Sequence, residues 1–127
     1  MADTYFSVTN KTKGRLPRLP FKELKEKVLG KNYVLSLVLI SDMKARALNK
    51  EHRSKNEPAN ILTFPLSKNE GEILISLQKI KKDAPSFDMN YKDFLVLIFI
   101  HGMLHLKGFT HGSTMEKKVE QLLSNKI

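Results

Sequence analysis

Apolar residues fall into short runs along the chain, and the longest runs predict β-strands and one buried helix. The clearest strand covers Tyr33 to Ile40, where Val, Leu and Ile follow one another almost without interruption. Such a run is typical of a strand buried on both faces of a sheet. Weaker runs predict three more strands, with Pro65 expected to end the second of them: Thr4 to Thr9, Ile61 to Phe64, and Glu72 to Leu77.

Three amphipathic helices are predicted from apolar residues that recur at intervals of three or four. The first runs from Pro20 to about Leu29 and is expected to stop at Gly30. The second follows the N-cap pair Ser41-Asp42 and runs from Met43 to about His52, and the last runs from Thr114 to about Leu123. The polar segments between elements are expected to be loops: Arg53 to Asn60, Leu66 to Gly71, and Lys79 to Met89.

The segment Phe94 to Ile100 is apolar on every side, which is typical of an element at the centre of a domain. Its β-branched residues leave a strand open as the alternative. Its length, from a cap at Asn90 to Lys107, favours a helix.

Three of the four histidines follow directly, with the spacing H-x3-H-x5-H. In a helix, His101 and His105 lie one turn apart on one face. Gly108 is expected to end that helix, so that the chain turns and His111 approaches from the side. Three imidazoles with an open fourth position form the pattern of a catalytic zinc site. Gly102 stands where H-E-x-x-H peptidases have their glutamate base, which argues against that chemistry.

Composition narrows the function further. The 127 residues are expected to form one domain, 1–127, with 41% hydrophobic residues to fill its core. There is no cysteine, so disulfides and thiolate metal sites are excluded. We expect a cytoplasmic protein, because no signal peptide is visible and the longest apolar run is far short of the roughly 20 residues of a membrane span. The net charge of +9 favours a polyanionic partner.

Much of this charge lies between residues 11 and 31, where eight lysines and arginines face only two glutamates. Two interpretations stay open. The segment either contacts phosphate groups, for which charge is a non-specific attraction, or forms the solvated face of a helix. The basic residues are Lys11, Lys13, Arg15, Arg18, Lys22, Lys25, Lys27 and Lys31.

Three blocks of sequence resemble the YbeY family, the zinc-dependent single-strand-specific endoribonucleases of bacterial rRNA maturation. The family motif H-G-x-L-H-L-x-G-[YF]-D-H is similar to His101 to His111, with Thr110 in place of the aspartate. The motif L-N-x-x-[YF]-R, followed by [TD]-[ND]-V-L-S-F-P, is similar to Leu48 to Arg53 and then Ala59 to Pro65. The motif G-[DE]-I-x-I-S is matched by Gly71 to Ser76, and Met115 and Glu120 resemble a later M-x4-E.

The resemblance implies an α/β (α+β) fold, in which a small mixed β-sheet packs against a central buried helix that carries the metal ligands. It implies one Zn²⁺ bound by His101, His105 and His111. It also implies that Arg53 lines the cleft, where it would hold a phosphate, so the catalytic set is expected to be Arg53 with the three histidines. The implied activity is hydrolysis of single-stranded RNA in rRNA maturation and ribosome quality control. The implied partners are rRNA and a ribosomal subunit or assembly factors.

Some positions and functions stay open. His52 and Ala59 differ from the usual family residues, and Thr110 offers no carboxylate to orient a ligand. Glu51, Asn60 and Ser76 are further candidates for the cleft. The alternative function is a non-catalytic, zinc-containing RNA-binding assembly factor for the ribosome. A deaminase or peptidase is disfavoured, since H-x-E, H-E-x-x-H and cysteine are all absent from the sequence.

Overall fold

A four-stranded sheet lies at the centre of the computed structural model, which describes residues 4–53, 59–108 and 117. Its strands are β1 (Phe6–Asn10), β2 (Val34–Leu39), β3 (Ile61–Ser67) and β4 (Glu70–Ile75), in the order β1-β2-β4-β3. β2 pairs in parallel with both β1 and β4, whereas β3 is antiparallel to β4. The small mixed sheet expected from the sequence is confirmed.

Within the described ranges, four α-helices surround the sheet: α1 (Phe21–Val28), α2 (Asp42–Arg53), α3 (Leu77–Asp83) and α4 (Tyr91–Leu106). A short 3₁₀ helix, Ala84–Phe87, follows α3. Helices α1 and α4 pack on one face of the sheet, where Leu35 and Leu37 of β2 are buried, and α2 packs on the other face, against Val38. Because both faces are covered, the sequence of β2 is almost continuously apolar.

The central helix α4 confirms the helical interpretation of the apolar segment. The side chain of Asn90 caps its start by accepting a 2.9 Å hydrogen bond from the backbone N–H of Asp93. Phe99 is fully buried and meets Phe21 of α1 edge to face, with ring centroids 5.1 Å apart. The contacts of α4 with β3, β4, α1 and α3 make it the centre of the core.

Several predicted boundaries are wrong. Arg53 is the last residue of α2 rather than the start of a loop. β3 continues through Pro65 to Ser67, with an irregularity in register between these two residues. An edge strand tolerates proline, because the missing N–H would face away from the sheet. β4 begins at Glu70 and ends at Ile75, so Leu77 belongs to the following helix.

Helix α3 lies where the sequence predicted a polar loop. Ser76 caps it by accepting a hydrogen bond from the backbone N–H of Lys79, and Ile80 on its inner face is fully buried. The spacing of apolar residues did not predict this helix, because a helix of seven residues has too few apolar positions to show a helical period.

The predicted helix at Thr114 to Leu123 lies outside the described residues, apart from Lys117. No helix in the part of the chain that the structure describes has both the length and the apolar character needed to cross a membrane.

Candidate functional site

Helix α4 carries the first two predicted metal ligands. His101 and His105 are four residues apart in regular helix, so their Cβ atoms lie about 5–6 Å apart on one side of it. Both imidazoles are partly exposed, whereas the three residues between them are buried. The helix therefore presents two imidazoles at the boundary between core and solvent.

Gly102 brings this part of α4 close to the sheet. A Cβ built on Gly102 would lie 2.5 Å from Cδ1 of Ile61 and 3.3 Å from Cγ2 of Thr63, both in β3. The position that holds glutamate in H-E-x-x-H peptidases therefore faces the sheet here, where a side chain would have to displace Ile61.

The helix ends at Leu106, next to the stop that the sequence predicts at Gly108. Gly108 has a φ of +99°, a left-handed conformation that glycine adopts at little cost. Its N–H donates a 3.0 Å hydrogen bond to the carbonyl of His105, and the N–H of Lys107 donates to the carbonyl of Met103 at 3.1 Å. The chain thus leaves the helix axis three residues before His111, which lies outside the described residues.

The expected zinc site combines two residues of α4 with one beyond its end. Among residues 4–53, 59–108 and 117, no three His, Asp or Glu side chains are close enough to hold a metal ion together. His101 and His105 are the two expected ligands that the structure describes, one turn apart on α4, and the expected third is His111. Two partly exposed imidazoles at i and i+4 are donors of the kind that zinc prefers, so these residues fit the ion.

Arg53, the other predicted catalytic residue, ends α2 on the opposite face of the sheet from α4. Both helices contact β3, which lies at the edge of the sheet. The cleft position of Arg53 stays a prediction.

The further cleft candidates have different environments. Ser76 is fully buried, and its hydroxyl donates a short hydrogen bond to Oδ1 of Asp42, so it joins α3 to α2 instead of facing a cleft. The amide of Asn60 donates to Oδ2 of Asp83 at 3.1 Å. Glu51 is exposed on α2.

A basic pocket of about 410 Å³ opens at the far end of α4 from the histidines. The charged residues that line this basic pocket are Lys11, Lys13, Arg15 and Lys81. Tyr91, the first residue of α4, also lines it, and Nζ of Lys81 lies 5.0 Å from the centroid of the Tyr91 ring. The sequence indicated the basic segment, but only the fold joins Lys81 of α3 to it.

Lys25 does not belong to this basic surface. It is 1% exposed on α1, where Nζ donates a 3.1 Å hydrogen bond to the carbonyl of Lys31 and lies 5.9 Å from the ring centroid of Tyr5. The sequence placed it among candidate phosphate contacts, and the structure excludes it, because its ammonium is occupied inside the fold.

Burial raises the pKa of two tyrosine hydroxyls. For Tyr33 the main cause is loss of water around the phenol, and the negative charge of Glu70 adds to it. For Tyr91 the pKa is raised by burial. Both phenols therefore stay neutral through the physiological range, and Tyr91 contributes a neutral ring to the basic pocket.

Comparisons with known proteins agree with this architecture. A family model described as Endoribonuclease YbeY matches residues 6–127. The chain is 34% identical over 105 residues to a Neorickettsia sennetsu protein named Endoribonuclease YbeY, a match covering 74% of this chain and 73% of the relative. A Persephonella marina protein of the same name is 30% identical over 115 residues, covering 81% and 74%.

The fold is also similar to a solved one. The solution structure of TM1509 from Thermotoga maritima superposes with a TM-score of 0.63 at 25% identity, covering 92% of this chain and 85% of that one. The family model extends over the sheet, the histidine helix and the segment that follows it. The chain therefore belongs to the YbeY family.

Proposed function

We propose that this protein is a zinc-dependent endoribonuclease that hydrolyses single-stranded RNA during rRNA maturation and ribosome quality control. The observation that carries the proposal is the pair His101 and His105, one turn apart and partly exposed on the central helix of a YbeY-family chain. The names of the relatives, Endoribonuclease YbeY, support the activity and an RNA substrate.

In this proposal His101, His105 and His111 hold the ion, and Arg53 holds a phosphate of the strand. When bound, zinc supplies a Lewis acid that polarises a phosphoryl oxygen and activates water at neutral pH. Water adds to phosphorus, one P–O ester bond breaks, and the departing oxygen takes up a proton. The planar guanidinium of Arg53 suits two phosphate oxygens and keeps its charge throughout. Burial of residues 102–104 keeps the two α4 imidazoles in position.

The test compares wild type, His105→Ala and His52→Ala, purified side by side and assayed on single-stranded RNA and for bound zinc. His52→Ala is the matched control, because it removes the one histidine outside the proposed ligand set. We expect His105→Ala to lose zinc and cleavage together, and His52→Ala to keep its zinc. A chelator should stop cleavage by the wild type, and added zinc should restore it.

Arg53→Ala separates the phosphate role from metal binding. We expect slower RNA turnover with unchanged zinc content, and loss of zinc in this variant would instead make Arg53 structural. If the wild type binds RNA and zinc but cuts nothing, the protein is the RNA-binding assembly factor that forms the alternative function.

A further inference from the structure

The basic pocket is separate from the histidines but shares their helix. It lies at the carboxyl ends of the parallel strands: Lys11 follows β1, Ser41 follows β2, and Lys81 belongs to α3 after β4. In open α/β sheets this edge is the usual place for ligands. Tyr91 and His101 are ten residues apart on α4, so the pocket lies about 15 Å along the axis from the first histidine.

We propose that the basic pocket binds the sugar–phosphate backbone of the same RNA strand that the histidine site cleaves, a few nucleotides away from the scissile bond. This inference rests on the proposed function for the identity of the strand. Four cationic side chains line the pocket and no carboxylate does. The volume of about 410 Å³ lies within the range of about 300–1,000 Å³ that is common for ligand sites.

The cations of the pocket are available to an anion. Among the described residues, no carboxylate lies within ion-pair distance of Lys11, Lys13, Arg15 or Lys81. Asp42 follows the pocket residue Ser41 in the sequence, but its carboxylate interacts with residues outside the pocket. Its Oδ1 accepts a hydrogen bond from Ser76, and its Oδ2 lies 3.4 Å from Nζ of Lys82. The positive charge is therefore not neutralised locally.

The loop that carries three of these cations is held in shape. The side chain of Asn10 donates to the carbonyl of Gly14 at 2.7 Å and accepts from the backbone N–H of Thr12 at 2.9 Å. The N–H of Lys11 donates to the carbonyl of Leu39 at 3.0 Å. Because the loop is ordered before binding, less conformational entropy is lost when a phosphate is bound.

Backbone binding suits the pocket better than recognition of a small ligand. Its four cations are exposed side chains, which attract phosphates without selecting a sequence. The partly exposed ring of Tyr91 adds an aromatic surface on which a base can stack, as in other proteins that bind single strands. The N-terminal end of α4 contributes positive potential at the same point.

The test uses Lys13→Gln/Arg15→Gln, with Lys31→Gln/Lys68→Gln as the control of equal charge loss. Lys31 and Lys68 are exposed beside the amino ends of β2 and β4, at the opposite edge of the sheet. The probe is a labelled single-stranded 2′-O-methyl RNA long enough to span α4, and binding is measured by anisotropy over a range of salt. Two lost contacts should lower the salt slope by about 1.4 and the affinity roughly ten- to thirtyfold at about 0.1 M salt.

Equal weakening by both double variants would overturn the inference, because it would mean diffuse attraction. Unchanged binding by the pocket variant would overturn it as well. Cleavage distinguishes the two proposals. If the wild type cuts RNA but the pocket variant keeps its KM for long strands, only the pocket proposal fails. If the wild type cuts nothing while oligonucleotide binding depends on the pocket, only the proposed activity fails.

Discussion

Gly102 is the residue at which the central helix and the sheet come closest. Adding a methyl group there places a Cβ 2.5 Å from Cδ1 of Ile61. Overpacking of this kind costs about 1–3 kcal/mol, whereas alanine in a helix returns up to about 1 kcal/mol relative to glycine. We therefore expect Gly102→Ala to lower the free energy of unfolding by about 1–2 kcal/mol in denaturant titrations.

The control for this prediction is a double-mutant cycle with Ile61→Val, which removes the clashing Cδ1 atom. In that background Gly102→Ala should cost less, so the two changes should couple favourably. Strict additivity would mean that the contact between α4 and β3 relaxes without strain.

Tyr33 makes a pH-dependent contribution of predictable sign. Its hydroxyl is buried and has no hydrogen-bond partner among the described residues, and its pKa is raised above 10.0, first by burial and then by Glu70. The folded state then holds the phenolic proton more tightly than the unfolded chain does. The stabilisation is complete below about pH 10 and is lost as the pH rises through the folded-state pKa.

Tyr33→Phe should therefore be neutral or slightly stabilising at pH 7, since no hydrogen bond is broken, and its stability should fall less steeply above about pH 10. Chemical unfolding at a series of alkaline pH values measures both effects. A clear loss of stability at pH 7 would show that the hydroxyl has a partner in the rest of the chain.

At this scale the sequence predicted the ends of the central helix well, because they depend on local chemistry. Asn90 and Gly108 take the positions that their side chains and backbone freedom favour. The interpretation of Lys25 was wrong, because its charge suggested a side chain exposed to solvent and the residue is buried. It lies four residues after Phe21, on the apolar side of α1, and that spacing was the better indication.

Ser76 links two elements, the starts of α2 and α3. Its hydroxyl donates to Asp42 and accepts from the backbone N–H of Lys79 at 3.3 Å, and the residue is fully buried. Ser76→Ala should lower the free energy of unfolding by about 1–3 kcal/mol, because a helix cap is lost and a carboxylate loses its donor. Thermal or denaturant unfolding measures the change.

The matched control is Ser41→Ala: Ser41 is exposed, and among the described residues its hydroxyl accepts from the backbone N–H of Lys44 alone, at 3.2 Å. It should cost less than Ser76→Ala, near 1 kcal/mol. Equal costs for the two variants would mean that the bond to Asp42 adds nothing to stability.

Helices and strands were predictable where the run of apolar residues is long. β2 and α4 follow from their sequences, because each element is buried on nearly all sides and is correspondingly apolar. The extension of β3 through Pro65 depends on pairing with β4 across a hairpin, and α3 depends on a cap and one buried isoleucine. Such features depend on residues that are close in space but distant in sequence, so a short stretch of sequence does not reveal them.

For the whole molecule, the sheet and the central helix followed from the sequence together with the family resemblance, but the basic pocket did not. Its lining comes from the loop after β1, from α3 and from Tyr91, which are distant along the chain. Only the parallel pairing of β1, β2 and β4 brings their carboxyl ends to one edge.

The proposed zinc site makes a last prediction about the whole fold. Two of its three ligands lie on α4, which packs against β3, β4, α1 and α3. An ion held there would therefore be attached to the helix at the centre of the core. An ion that binds only the folded chain stabilises it by about 2.7 kcal/mol at a hundredfold excess over Kd. Added zinc should therefore raise the midpoint of thermal unfolding of the metal-stripped protein as one cooperative transition.

The zinc-induced shift, rather than the absolute midpoint, is the quantity to compare between variants, because a histidine replacement also changes stability by itself. His105→Ala should abolish the shift, and His52→Ala should retain it. If His105→Ala shifts as far as the wild type, zinc binds elsewhere. The pair of histidines on α4 would then be part of the packing of the helix rather than of a metal centre.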